Sequence, residues 1–203
     1  MLFASIKKSD RIDTAATDGK DIFFNENFLK NLKSSEQNAL MLHEVLHMAL
    51  LHVTRRQSRD PYIWNIAADI VVNDLILRNT KFKLPKGAIV DDQYSDKSVE
   101  YIYESLLKNN KYKQKQYQLV ISDIEKPLSD SESGSSESND MEIQEIESYW
   151  RDKIQVIKNS DAISNSEEYG SNTTGGLPAG MEREIENILE PEINWRHALW
   201  KYV

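Results

Sequence analysis

The sequence contains no cysteine and only four histidines among its 203 residues. Disulfide bonds, thiolate metal sites and cysteine nucleophiles are therefore excluded, and a reducing cytoplasm is the expected location. No apolar run approaches the roughly 20 residues of a membrane-spanning helix, and Met1–Ile6 is too short for the core of a signal peptide. These absences predict a cytoplasmic protein that does not cross a membrane.

Positive charge is also scarce, because 25 Lys and Arg face 33 Asp and Glu, for a net charge of −8. This balance argues against a nucleic-acid partner bound through its phosphates. The length suits one domain with a core. We predict a core in residues 1–124, an acidic low-complexity loop in residues 125–140, and C-terminal helices in residues 141–203 that pack on the core.

The pattern with most chemical content is His43-Glu44-Val45-Leu46-His47, within a Leu-rich run that lacks Gly and Pro. The run predicts a buried helix, on which residues four apart share a face. His43 and His47 can then bind one metal ion, and Glu44 can take a proton from a water on that ion. The pattern alone also occurs by chance, but an apolar helix needs something to satisfy these polar groups.

The third metal ligand has two candidates, His52 and Asp69. If the helix continues without a break, His52 lies roughly 180° from His43, which argues against it. Asp69 belongs to a second predicted helix that begins at Pro61 with Asp60 as its cap. We therefore expect Asp69 to be the ligand and His52 to end the first helix or pack locally.

Asp69 lies in a polar stripe on an otherwise apolar helix, with Asn65 and Asn73 four residues to either side. A buried carboxylate needs a strong partner, and Zn²⁺ is one. The two asparagines are candidates to support a zinc-bound histidine from behind. The alternative is that Asp69 is a structural residue that caps a helix or pairs with Arg78 or Arg55.

Several segments together resemble the bacterial putative metallopeptidase domain, and the pattern is also similar to gluzincin-type zincins. The segments that carry the resemblance are Thr14–Gly19, Phe24-Asn25, His43–His47, Leu51-His52, Arg55-Arg56, Trp64–Asp69 with Asn73, and Trp195-Arg196. It implies an α+β fold, mainly helical and zincin-like, with a small β-sheet. It also implies a VWA-like domain after this chain, a MoxR-type AAA+ ATPase as partner, and further chain before Leu2.

The leading functional hypothesis is a zinc-dependent peptidase that acts on a protein or peptide, with His43, His47 and Asp69 as ligands and Glu44 as base. A second hypothesis is a zinc-stabilised interaction domain, a scaffold without turnover. A third is a helical domain without metal. Tyr94 and His197 are candidate donors to an oxyanion.

The remaining segments supply a few further expectations. Leu2–Ile12 is predicted to end a helix, and Thr14–Gly19 to be a polar turn. Ile22–Phe24, or a strand paired with it, is a candidate edge for an extended substrate, although an ordinary core strand is an equal alternative. Residues 79–94 are expected to form an irregular wall of the substrate cleft. Helices are predicted near 25–33, 96–107, 141–158 and 181–189.

Overall fold

A computed structural model of the chain describes residues 5–110, 136–164 and 181–189. These residues form three short strands and seven α-helices, an α+β fold that is mainly helical, as the sequence predicts. The strands are β1 (Ile6–Lys8), β2 (Ala15–Thr17) and β3 (Ile22–Phe24). The helices are α1 (Glu26–Asn31), α2 (Ser34–Ala49), α3 (His52–Arg55), α4 (Pro61–Asn79), α5 (Val99–Lys108), α6 (Ser136–Ser164) and α7 (Met181–Leu189).

Helix α4 is the centre of the core. The Asp60 side chain accepts a hydrogen bond from the backbone N–H of Ile63 (2.9 Å), and Pro61 occupies the first turn, as predicted. Thirteen of the 19 residues of α4 are buried, so the helix is covered on nearly all sides. It packs against α2 on one side and against α5 on the other. The polar groups on α4 are therefore enclosed, and Asp69 is one of them.

Helix α2 ends at Ala49, whereas the sequence predicts no break before His52. Leu51 adopts the left-handed conformation (φ 56°), and α3 begins at His52. A leucine in this region costs roughly 1–2 kcal/mol, so tertiary contacts must hold it there. Leu51 is buried in the core, and its carbonyl accepts a hydrogen bond from the Arg55 N–H (2.8 Å). The predicted continuous helix is wrong at this point.

The small sheet has the order β1-β3-β2, with β1 parallel and β2 antiparallel to β3. Two predictions fail here, since Leu2–Ile12 contains a strand and not a helix end, and Thr14–Gly19 is half strand. The Asp18-Gly19 turn follows β2, and Gly19 has φ 91°, which a residue with a side chain rarely adopts. Residues 6–8 are exposed, but β2 is buried against α2.

Helices α6 and α7 add to the core through Ile146, Ile154, Ile185 and Ile188. The Trp150 indole N–H donates to the carbonyl of Gly19 (3.2 Å), which ties α6 to the turn after β2. Helix α6 begins at Ser136, so the predicted acidic loop is helical over residues 136–140. Residues 125–135 lie outside the described part of the chain. No helix in the described ranges is long and apolar enough to span a membrane.

Candidate metal centre

The two helices that enclose the site each present polar groups to the other. His43 and His47 lie four residues apart on α2, and Asp69 lies in the middle of α4. All three side chains are buried, and one ligand atom from each lies within 4.8 Å of the others. The helical spacing explains the histidine pair. The packing of α2 on α4 explains why a residue 22 positions later joins them.

The distances between the three donor atoms suit a metal ion. The His43 and His47 Nε2 atoms are 2.8 Å apart, and Asp69 Oδ1 lies 3.6 Å from the first and 3.4 Å from the second. Ligands in a tetrahedral zinc site, about 2.0–2.1 Å from the ion, lie roughly 3.3 Å from one another. The two Asp69 distances match this spacing, and the histidine pair is about half an ångström closer.

The three donor atoms, the Nε2 atoms of His43 and His47 and the Oδ1 atom of Asp69, all direct lone pairs toward the space between them. One proton between the two Nε2 atoms can satisfy a single contact. Asp69 Oδ1 is buried and has no hydrogen-bond partner among the described residues. Such a carboxylate oxygen costs free energy unless a cation or a donor reaches it. A metal ion would satisfy all three atoms together, so the residues present fit one.

Asn73 fixes the orientation of the His43 ring. Its Nδ2 donates to the carbonyl of Ile89 (2.9 Å), so its Oδ1 is the atom that accepts from His43 Nδ1 (3.0 Å). The proton of His43 therefore lies on Nδ1, and Nε2 presents a lone pair to Asp69 and His47. This is the supporting contact that the polar stripe on α4 predicts. Asn65 lies buried one turn before Asp69, and its role beside the site stays a prediction.

The protonation states at neutral pH suit metal binding. Burial, reinforced by the neighbouring His43, lowers the pKa of His47 to about 4, so its imidazole is neutral at pH 7. Burial acts to raise the pKa of the Asp69 carboxyl, but its interactions with His43 and His47 outweigh burial and lower that pKa. A neutral imidazole and an ionised carboxylate are the forms that bind metal ions.

His52 contacts the back of the His47 ring, a placement that the sequence analysis missed. The break at Leu51 brings His52 Nδ1 to 3.0 Å from His47 Nδ1. His52 is fully buried, and burial lowers its pKa well below 6.5. As expected, His52 is not one of the three converging residues. The expected reason was that a continuous helix would place it on the opposite face from His43. Instead, the helix breaks at Leu51, and His52 lies against His47 Nδ1. The signal available in the sequence was a third histidine in one apolar run.

A cavity of about 290 Å³ adjoins the cluster, and His43 and Asp69 form part of its wall. Its other lining residues are Thr14 before β2, residues of helices α1 and α2, Asn73 on α4, and the segment after α4, Leu84–Ile89. Part of the segment predicted as a cleft wall, residues 84–89, thus lines this cavity, and its contact with a substrate stays a prediction. The cluster thus lies at the surface of a cavity and not inside a closed core.

Glu44 follows His43 on α2 and is fully buried. It is not among the residues that line the cavity. Tyr94 is also buried, and its hydroxyl shares a hydrogen bond with Ser105 (3.1 Å) on α5. Tyr94 does not line the cavity, so it is a poor oxyanion donor in this structure. His197 lies outside the described residues.

The predicted substrate edge is wrong for β3, which is the central strand with a partner on each side. The strand next to α2 is β2, and its residues Ala15, Ala16 and Thr17 are at most 1% exposed. An extended peptide needs an exposed edge to pair with. Neither β3 nor β2 offers one in this structure. The other strand paired with β3 is β1, which lies at the edge of the sheet with its three residues exposed, so a substrate edge on a strand paired with β3 stays a prediction.

Comparison with known proteins agrees with the geometry. An uncharacterized protein of Thermotoga maritima is 22% identical to this chain over 169 residues, which cover 81% of the chain. The match spans only 42% of that relative's length, less than half. No solved structure matches the chain. The model of one family, described as a putative metallopeptidase domain, matches residues 1–203. The chain therefore belongs to this putative metallopeptidase domain family.

Proposed function

We propose that the chain is a zinc-dependent peptidase whose metal is held by His43, His47 and Asp69. The observation that carries the proposal is the convergence of these three donors beside a cavity whose wall includes His43 and Asp69. Structural zinc sites are closed by four protein ligands, whereas catalytic sites have three and keep one position open. Three donors beside an open cavity favour the catalytic kind.

The donor set favours zinc over other common ions. Two imidazole nitrogens and one carboxylate oxygen match zinc chemistry, whereas Mg²⁺ and Ca²⁺ prefer oxygen ligands alone. A bound Zn²⁺ would supply Lewis-acid activation of a water and of a substrate carbonyl. The Asp69 carboxylate supplies the only negative charge among the three donors. Asn73 keeps the His43 ring in the orientation that presents Nε2.

Glu44 is the proposed proton carrier of the reaction. Its carboxylate takes a proton as the water oxygen adds to the scissile carbonyl carbon, and it returns that proton to the amine nitrogen as the C–N bond breaks. A neighbouring position on α2, next to His43, supports this role. The proposed substrate is a protein or peptide. A VWA-like domain and a MoxR-type AAA+ ATPase are proposed partners, on the family resemblance alone.

The burial of Glu44 favours a second candidate, a zinc-stabilised interaction domain without turnover. In this structure the Glu44 side chain is fully buried and does not line the cavity. A base must come within hydrogen-bond reach of the proton it takes, although that contact often forms only in the substrate complex. A metal that only stabilises the packing of α2 on α4 would not require Glu44 to reach the cavity.

The experiment that tests the proposal combines metal content with cleavage. Purified protein is stripped with chelator, reloaded with Zn²⁺ and incubated with a peptide library, and new termini are identified by mass spectrometry. We expect one zinc per chain and cleavage by the reloaded protein but not by the stripped one. Zinc without cleavage would favour the interaction domain. No bound metal after reloading would overturn both candidates.

A further inference from the structure

We propose that the cavity beside the metal centre binds one large apolar side chain of the substrate, of the size of Leu, Ile, Met or Phe, next to the scissile bond. The inference rests on the proposed peptidase function. The cavity volume of about 290 Å³ is close to the lower limit of small-molecule sites, roughly 300 Å³. It suits one side chain with its adjoining peptide group better than a long segment.

The lining decides the chemistry of that side chain. Its apolar members come from separate parts of the chain and include Phe28, Leu40, Leu84, Pro85, Ala88 and Ile89. Leu40 lies one turn before His43 on the same face of α2, so the apolar wall begins next to the metal ligand. The single cation of the lining, Lys86, is exposed. A charged side chain would lose its hydration against the apolar members, whereas an apolar one gains from burial.

The wall is built before a substrate arrives. Asn73 bonds both the His43 ring and the Ile89 carbonyl, so one side chain ties the metal ligand to the far wall. Pro85–Ala88 forms a β-turn in which the Ala88 N–H donates to the Pro85 carbonyl (3.2 Å). Gly87 is the third residue of this turn and has φ 98°, the positive φ that a type II β-turn requires at that position. These contacts hold the cavity open beside the donors.

The test uses acetylated amino-acid methylamides of Leu, Phe, Ala and Glu as probes, followed by amide chemical shifts in NMR titrations. Binding is measured with and without zinc, because the cavity exists independently of the ion. We expect the Leu and Phe probes to bind at least tenfold more tightly than the Ala and Glu probes and to shift the amides of residues 84–89. Equal binding of all four probes, or no binding, would overturn the inference. A preference for the Glu probe would show that Lys86 recognises a carboxylate, and it would overturn the inference as well.

Two matched variants locate the binding site. Ala88→Trp, on the exposed turn, is expected to remove the preference for Leu and Phe by filling the cavity. Val90→Trp, two residues further and outside the lining, is expected to retain it.

Phe28→Ala widens the cavity and should favour the Phe probe over Leu. If the probes discriminate but the library is not cleaved, the peptidase proposal fails while the apolar site stands.

A second inference rests on a different observation, the contact between His52 and His47. We infer that His52 is a positioning residue, which holds the His47 ring with Nε2 toward the metal centre. A histidine that binds a metal through Nε2 carries its proton on Nδ1 and donates it to an acceptor. His52 Nδ1, at 3.0 Å from His47 Nδ1, is placed to accept that proton.

The backbone around His52 is arranged for this contact. Without the left-handed Leu51, the helix would point His52 about 140° away from His47. The Trp64 indole N–H donates to the His52 carbonyl (2.8 Å) and fixes the start of α3 against α4. Strained positions of this kind persist only where surrounding contacts enforce them, and they concentrate at functional sites. Here the strained residue places an acceptor behind a metal ligand.

Two substitutions separate positioning from packing. His52→Asn keeps an acceptor near the Nδ1 position but loses volume, whereas His52→Leu keeps volume and loses the acceptor. Zinc affinity, measured by competition with a chromogenic chelator, is expected to fall 10–100-fold in His52→Leu and much less in His52→Asn. The thermal midpoint of the stripped proteins reports folding separately. Retained affinity in His52→Leu with a loss in His52→Asn would show a packing role and overturn the inference.

Discussion

Glu44→Gln is expected to lower the rate of peptide cleavage by roughly 10²- to 10⁴-fold while one zinc per chain stays bound. The substitution keeps the size of the side chain and removes its capacity to take a proton. Glu44 is not one of the three converging donors, so the metal site itself should be intact. The measurement is the initial cleavage rate of the best library peptide, with zinc content determined on the same sample.

Glu104→Gln is the matched control, because Glu104 is an exposed carboxylate on α5 and its loss should leave the cleavage rate unchanged. A Glu44→Gln protein that cleaves at the wild-type rate would contradict the proposed role of Glu44. If neither the wild type nor the variant cleaves any peptide but both bind zinc, the interaction domain is the better account of the chain.

Asp69→Ala is expected to weaken zinc binding by more than about 100-fold, beyond the 10–100-fold that the loss of an outer contact typically costs. The reason is that Asp69 supplies one of the three donors and their only negative charge. Zinc at a thousandfold excess over its dissociation constant stabilises a folded protein by about 4 kcal/mol, which raises the thermal midpoint of a domain this size by roughly 10 °C. The wild type should show this rise and Asp69→Ala should not.

Asp74→Asn serves as the control on the same helix. Asp74 pairs with Arg78 (2.6 Å) and accepts from Ser95, so it is engaged in contacts outside the metal site. This variant should keep the zinc-dependent rise in the thermal midpoint. Zinc affinity that survives in Asp69→Ala would show that Asp69 is not a ligand and would contradict the proposed metal site.

Features that depend on a few neighbouring residues were predictable from the sequence alone. The start of α4 is one, because Asp60 and Pro61 meet the local needs of a helix N-terminus. The shared face of His43 and His47 is another, since it follows from helical periodicity. The polar stripe on α4 also predicted Asp69 and Asn73 correctly as buried residues that face the histidines, because an apolar helix leaves such groups no other partner.

Features that depend on long-range packing were decided only by the tertiary structure. A leucine at positive φ is unfavourable locally, so no sequence rule predicts the break at Leu51 that turns His52 toward His47. Strands of three residues form only when paired, which is why β1 and β2 were not predicted and why the sequence left open whether β3 is an edge strand or a core strand. The sequence therefore determines which residue types form the candidate metal centre. The distances between their donor atoms and the shape of the adjoining cavity depend on how α2 packs against α4 and against the segment after it.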